Sequence, residues 1–275
     1  MRRKKISLSS VLKHFYMIVT IAIMLFPMYL AIVGSFKDLN QILNDFFLPT
    51  FPFHFENYVK AFGYISPYFL NTVWYAIVST VLTVGAATLG GYAFARLRFP
   101  CRKIFYGIMF AKMFLPGVMS LVPSFLLANK MGLLNSVWAV ALFCMGTSMP
   151  YWVFVMRTFV NSQPKELFES MRIDGARETT IFYKLTLPLL KPMVSLMTMN
   201  VILFIWNDFI WPVVTLTDPA KRTITVGIYK LREVAGMDYG MMIAGYVLAM
   251  LPLLIGFVFS MKSFMSGLTA GAIKL

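Results

Sequence analysis

Six stretches of this chain are apolar enough, for long enough, to cross a lipid bilayer, and that restricts the fold more than any motif. Covering the hydrocarbon core takes a helix of about 20 mostly apolar residues. The segments are residues 14–36, 69–95, 104–127, 136–157, 193–216 and 241–261. None alternates with the period of two that marks an outer-membrane strand, so a barrel is disfavoured. The expected fold class is all-α, a polytopic membrane protein of six transmembrane helices forming one transmembrane domain over residues 1–275. Composition agrees, at 59% hydrophobic and 13% charged, against roughly 45–50% and 25% for a soluble domain.

The net charge of +14 would point to nucleic acid in a soluble protein, but cytoplasmic loops of membrane proteins concentrate Lys and Arg. If the N-terminus is cytoplasmic, inside segments carry 17 Lys and Arg and outside segments 7, with Lys112 left within the third span. Both termini are therefore expected inside, and nucleic acid is not an expected partner. The basic start and the apolar run Phe15–Val33 look like a secretory leader. The run is too long for one and no small-residue cleavage site follows, so it reads as an uncleaved first span.

Within the spans, Pro27, Pro116, Pro123, Pro150, Pro212 and Pro252 predict kinks. Lys112 is read as snorkelling to the inner interface, and Trp211 as part of an aromatic belt. The small-residue run Gly85–Ala95 predicts close helix packing. Residues 37–68 and 217–240 are expected as outside segments, the first a loop along the interface. Cys101 and Cys144 are too far apart in the expected topology for a disulfide framework, and His14 and His54 have no metal-ligand spacing. No metal site is expected.

The connector over residues 158–192 is the exception to the apolar pattern. Asn161 or Ser162 can cap a helix, and Pro164 suits its first turn. Leu167, Phe168 and Met171 make one apolar stripe, Gly175 is a natural stop, and Ile181, Phe182 and Leu185 make a second stripe. Pro188 and Pro192 mark the return to the bilayer, while Glu169 and Asp174 project acid from a basic loop. On physical grounds alone this is either a membrane-surface helix or a docking knob for a soluble protein.

The string "ESMRIDGARETTIFYKLTLPLLKP" resembles the EAA motif of ABC importer permeases, E-A-A-x-x-D-G-A followed by a spacer and L-P-x-x-x-P. Glu169, Asp174, Gly175, Ala176, Phe182, Leu187, Pro188 and Pro192 fall on it in register, with Ser170 and Met171 in place of the two alanines. "WNDFIWPVVTLTD" and "GLTAGAIKL" resemble the carbohydrate branch, in particular the smaller permease of maltose-type importers. The resemblance implies a type I ABC importer permease fold with a cytoplasmic coupling helix between spans four and five. It implies ATPase-coupling residues Phe168, Glu169, Met171, Asp174, Gly175, Ala176, Phe182 and Pro188. It implies, as partners, a second permease subunit, two ATP-binding cassette subunits and an extracytoplasmic solute-binding protein, in a bacterial inner membrane.

This chain has no G-x-x-x-x-G-K-[ST] loop and no catalytic constellation. It is expected not to be an enzyme and to hold no cofactor itself, ATP and Mg belonging to the partner ATPases. The expected solute is a sugar or oligosaccharide. Asn207 and Asp208 can bond its hydroxyls, Trp206 can stack on a pyranose face, and Asn200 lies on the same span. Two alternatives stay open. One is the same architecture for a polyol, an acidic sugar or a glycerol phosphate. The other is an ATP-independent secondary transporter, which internal repeats and intramembrane ion sites would mark.

Overall fold

A computed structural model describes residues 8–272. Arg2, Arg3, Lys4, Lys5 and Lys274, which entered the orientation count, lie outside the described residues, as do the two ends expected in the cytoplasm and the last three residues of GLTAGAIKL. The described residues are helical, without strands. Five helices are long and apolar enough to cross a membrane: α1 (Leu8–Ser35), α3 (Glu56–Arg96), α6 (Val137–Asn161), the continuous helix Glu178–Asn207, and α12 (Tyr239–Ala272). A sixth crossing is counted if α4 (Arg102–Lys112) and the helical stretch Gly117–Lys130, bent by 108° between them, form one span. That stretch opens with one 3-10 turn and continues as α5 (Leu121–Lys130). The chain is thus an all-α multi-pass membrane protein.

Two expectations change, and a third segment gains detail. Residues 37–68 are not a loop throughout. Asp38 caps α2 (Leu39–Asn44) with a reciprocal bond to Gln41, at 2.8 and 3.0 Å, and α3 already begins at Glu56 and runs 41 residues through Pro67. Residues 217–240 likewise contain α11 (Ile224–Ala235), whose Ile224, Val226 and Leu231 are buried. Finally, the third and fifth spans are broken rather than kinked. The third turns at Met113–Pro116, where Pro116 removes the N–H that would have bonded Lys112. The fifth stops at Asn207, because Asp208 takes an extended backbone before the short helix α10 (Ile210–Thr215) resumes.

The chain forms two compact units. One combines the residues up to Ser66 with Ile228–Pro252. Its organising group is Lys37, only 1% exposed, whose ammonium donates to the carbonyls of Asp45, Phe46 and Leu48. Burial lowers its pKa below the usual lysine range. The Asn57 amide donates to the Ser35 and Lys37 carbonyls, both at 3.0 Å, so the end of α1 is held by side chains rather than by solvent.

The second unit combines Pro67–Gly227 with the residues from Leu253 onward. Its core runs along α3, α6 and the Glu178–Asn207 helix, with Ala87, Val153, Met156, Met197 and Val201 buried. Here the small-residue run on α3 performs as expected. A Cβ built on Gly91 would overlap the Met156 Cβ and lie 3.0 Å from the Arg157 nitrogen, so only glycine lets the two backbones approach. Gly85, in the same run, meets open space. Replacing Gly91 by Leu should therefore destabilise the purified chain in detergent by about 1–3 kcal/mol or more, read as a lower thermal midpoint. Gly85→Ala should leave that midpoint within a degree or two, and equal effects from the two variants would show that α3 and α6 are not in tight apposition.

Candidate functional site

The connector after α6 folds as the helix α7 (Lys165–Ile173), a glycine turn, the short helix α8 (Glu178–Ile181), a π-helical turn Phe182–Thr186, and then α9 (Leu187–Asn207). Gly175 ends α7 in the left-handed region, φ +78. The Ala176 N–H donates to the Met171 carbonyl at 2.9 Å and the Gly175 N–H to the Arg172 carbonyl at 3.1 Å, the Schellman arrangement that satisfies orphan carbonyls. A left-handed backbone at this point explains why glycine stands there. The π turn closes with the Leu187 N–H on the Phe182 carbonyl, directly before Pro188.

The eight expected coupling residues divide by face. Phe168 is 1% exposed, Phe182 is buried, and Met171 and Ala176 are half-buried against the same core. Glu169, Asp174, Gly175 and Pro188 are exposed. The Glu169 and Asp174 carboxylates accept no hydrogen bond among the described residues. Leu167, read as part of the inward stripe, is instead exposed. Ile173 was not singled out from the sequence, yet it is 86% exposed beside Asp174. The signal was available: Ile173 falls off the Phe168/Met171 stripe, and a large apolar residue on the polar side of a short amphipathic helix is anomalous.

The inward face is fastened by a polar cluster. Glu178 accepts from the Tyr92 hydroxyl on α3 and from Arg172 Nε on α7, the latter at 2.8 Å. The bond to Glu178 holds the Arg172 guanidinium above its ordinary pKa. Arg96, the last residue of α3, donates to the Val160 and Gln163 carbonyls at 2.7 and 3.0 Å, which caps the end of α6. The same guanidinium lies 3.9 Å from the centroid of the Phe168 ring. Tyr92 also meets Phe182 edge-on at 5.4 Å. One end of α3 therefore grips both ends of the connector.

A second locality lies at the two broken spans. Lys112 is the last residue of α4, and its ammonium donates to the Gly146 carbonyl on α6. That carbonyl is free because residue 150, four positions on, is proline and has no N–H to offer. Lys112 thus does not snorkel to an interface but fills a bond that a proline leaves open. Lys112, Ser120 and Thr147 line both a cavity of about 250 Å³, shared with Ser124, Trp138 and Trp211, and a neighbouring one of about 510 Å³ that reaches Tyr151. The hydroxyls and the ammonium are the polar groups of an otherwise apolar wall.

The fifth span locates the other expected pathway residues. Asn200 and Asn207 are exposed and seven residues apart, so they share one stripe of α9. The Asn207 amide donates to the Leu203 carbonyl at 2.9 Å. Asp208 sits in the break, and its carboxylate accepts the Trp211 N–H at 3.4 Å. Trp206 is buried and meets Phe69 edge-on at 5.6 Å. Trp211 is not in an aromatic belt. It is 2% exposed, stacked on Phe143 at 3.9 Å, and its indole N–H donates to the Ala139 carbonyl at 3.0 Å. Both indoles are thus occupied by packing, while the asparagines and Asp208 stand apart from the Lys112 cavities.

If the Glu178 cluster is what fixes the connector, Glu178→Ala should release it. Amide exchange across residues 165–176 should then rise roughly tenfold to a hundredfold, since hydrogen bonds to charged groups contribute about 1.5–3 kcal/mol. Glu166→Ala on the exposed side should leave exchange unchanged, and protection that survives the loss of Glu178 would place the anchor elsewhere.

Comparison with known proteins agrees with this geometry. Residues 86–271 match the family described as binding-protein-dependent transport system inner membrane component. The arabinooligosaccharides transport system permease protein AraQ of Halalkalibacterium halodurans is 32% identical over 92% of this chain and 92% of its own length. The galactooligosaccharides transport system permease protein GanQ of Bacillus subtilis is 30% identical over 92% and 91%. A chain from the crystal structure of a bacterial ABC transporter that imports the acidic polysaccharide alginate has the same fold. Its TM-score is 0.82 at 19% identity, over 96% of this chain and 99% of that one. The chain therefore belongs to the family of binding-protein-dependent transport system inner membrane components.

Proposed function

We propose that this chain is one permease subunit of an ATP-driven importer of oligosaccharides, working with a second permease, two ATP-binding cassette subunits and an extracytoplasmic binding protein. The observation that carries the reading is the two-faced connector. Phe168, Phe182 and the Glu178 cluster fasten one face to α3, while Glu169, Ile173 and Asp174 present acid and an exposed apolar side chain on the other. A surface helix lying on lipid would turn its apolar face to the bilayer and its charge to water. Here the apolar face is spent on the protein's own core, which leaves a rigid knob for a soluble partner.

The excess of basic residues in the segments that include this connector supports a cytoplasmic position for it. ATP and Mg would bind the partner subunits, and the knob would carry their closure into the spans. Because α3 grips α7, α8 and the end of α6 together, displacement of the knob moves these elements as one lever. The solute route runs past the broken spans, where non-helical backbone at membrane depth is tolerated against protein or a water-filled cavity. Ser120, Ser124, Thr147 and the α9 asparagines supply hydroxyl and amide groups suited to sugar hydroxyls. The names of the relatives, arabino- and galactooligosaccharide permeases, support the solute class.

Altering the charge of the knob tests the coupling. Glu169→Lys and Ile173→Asp should each weaken co-purification of the ATPase subunits by roughly thirtyfold, the scale of an interface hot spot, and abolish uptake while the chain still inserts. An intact complex with both changes would sink the coupling role of this surface. Lys112 favours a second reading, an acidic sugar, because it is the charged group at the cavities. Under that reading Lys112→Met should depress uptake of uronate-containing oligosaccharides about tenfold more than uptake of neutral ones. Equal loss for both would assign Lys112 to its bond with Gly146 alone.

A further inference from the structure

The turn between α3 and α4 gathers a set of cations that the transport reading leaves without a task. Arg98, Arg102, Lys103 and Arg157 line one cavity of about 750 Å³ together with Tyr106, and no Asp or Glu lines it. None of the four has a carboxylate within ion-pair distance among the described residues. Two are held only by neutral groups: Arg102 donates to the Leu97 carbonyl at 2.8 Å, and Arg157 donates to the Phe94 carbonyl at 3.3 Å and covers the Tyr106 ring at 4.1 Å. Arg98 and Lys103 are exposed. The Tyr106 hydroxyl is buried and has no hydrogen-bond partner among the described residues. Converging uncompensated cations create a potential that attracts an anion.

Which anion is indicated by what adjoins the cavity. α4 starts there, with no side chain capping its first N–H groups, and its Ile104, Phe105 and Ile108 are all more than half exposed. An apolar surface that begins at a cationic mouth suits a molecule with a negative head and hydrocarbon tails. Basic pockets beside membrane helices bind such headgroups. We propose that this cavity is a binding site for the phosphate of an anionic phospholipid, with Arg98 and Lys103 as its free cationic arms and the exposed face of α4 as the bed for the acyl chains. Arg102 and Arg157, already fixed by carbonyls, define the pocket wall. The site is independent of the solute and of ATP, and it makes the lipid a constitutive ligand of this chain.

Native mass spectrometry of the full-length chain, offered phosphatidylglycerol or phosphatidylcholine at equal concentration, tests this. The wild type should retain phosphatidylglycerol preferentially. The Arg98→Gln/Lys103→Gln double variant should retain it roughly thirtyfold less, at about fivefold per cation. The charge-preserving Arg98→Lys/Lys103→Arg pair should keep the preference, and so should Arg232→Gln, an exposed cation that does not line the cavity. A preference unchanged in the neutral double variant would overturn the proposal. So would displacement of the lipid by millimolar inorganic phosphate, which would make the pocket a soluble-anion site. A wild type that does not discriminate the two lipids would also overturn it, and would leave the cavity to an acidic segment of a partner protein.

Discussion

Where hydrocarbon replaces water, a backbone carbonyl that loses its helical partner must find another donor within the protein. That constraint organises this chain wherever a helix breaks or ends. Lys112 bonds the Gly146 carbonyl that Pro150 frees, and Thr225 bonds the Trp206 carbonyl at the end of α9. Arg96 caps the terminal carbonyls of α6. Tyr75 and Asn71 on α3 do the same for Lys221, Ala220 and Arg222 in the segment that follows α10. In the other unit Lys37 and Asn57 fill that role after α1. Each such bond joins two elements, so satisfying the backbone also fixes the tertiary arrangement.

Under the proposed coupling role, the same bonds would serve motion through the connector. A lever must be stiff along its own length and hinged elsewhere. Stiffness would come from the charge-assisted bonds and ring contacts at the Arg96 end of α3, together with the burial of Phe168, Ile181 and Phe182 in the core. A cation stacked on an aromatic ring and a carboxylate shared by two donors are directional, so they resist rotation better than apolar packing. The breaks at Met113–Pro116 and Asp208 would supply the compliance in that scheme, because helical segments joined by irregular backbone can change angle without breaking internal helical bonds.

Much of this was legible in the sequence, and the remainder failed for identifiable reasons. Each of the five helices long enough to cross overlaps an apolar run of the sequence, and the Glu169 to Pro192 register marked the connector, because both signals are local. Gly91 was legible as part of a small-residue stripe, although its partner Met156 was not. The helices inside residues 37–68 were missed because loop-like Pro, Asn and aromatic residues masked the Asp38 capping signal. Lys112 was misread because its partner is a carbonyl whose availability depends on a proline 38 positions later. Trp211 was misread because an indole looks the same in a belt and in a core. The functional side chains that a single sequence hides are those defined by a distant neighbour.

The 108° turn after Lys112 also bears on how the chain enters the membrane. α4 has 11 residues and α5 only 10, about 15 Å each, half the hydrocarbon thickness. Neither piece partitions as a complete crossing, and the charge at their junction disfavours release into lipid in isolation. A crossing at this point therefore needs both pieces together, and the bond from Lys112 to the Gly146 carbonyl ties the first of them to α6.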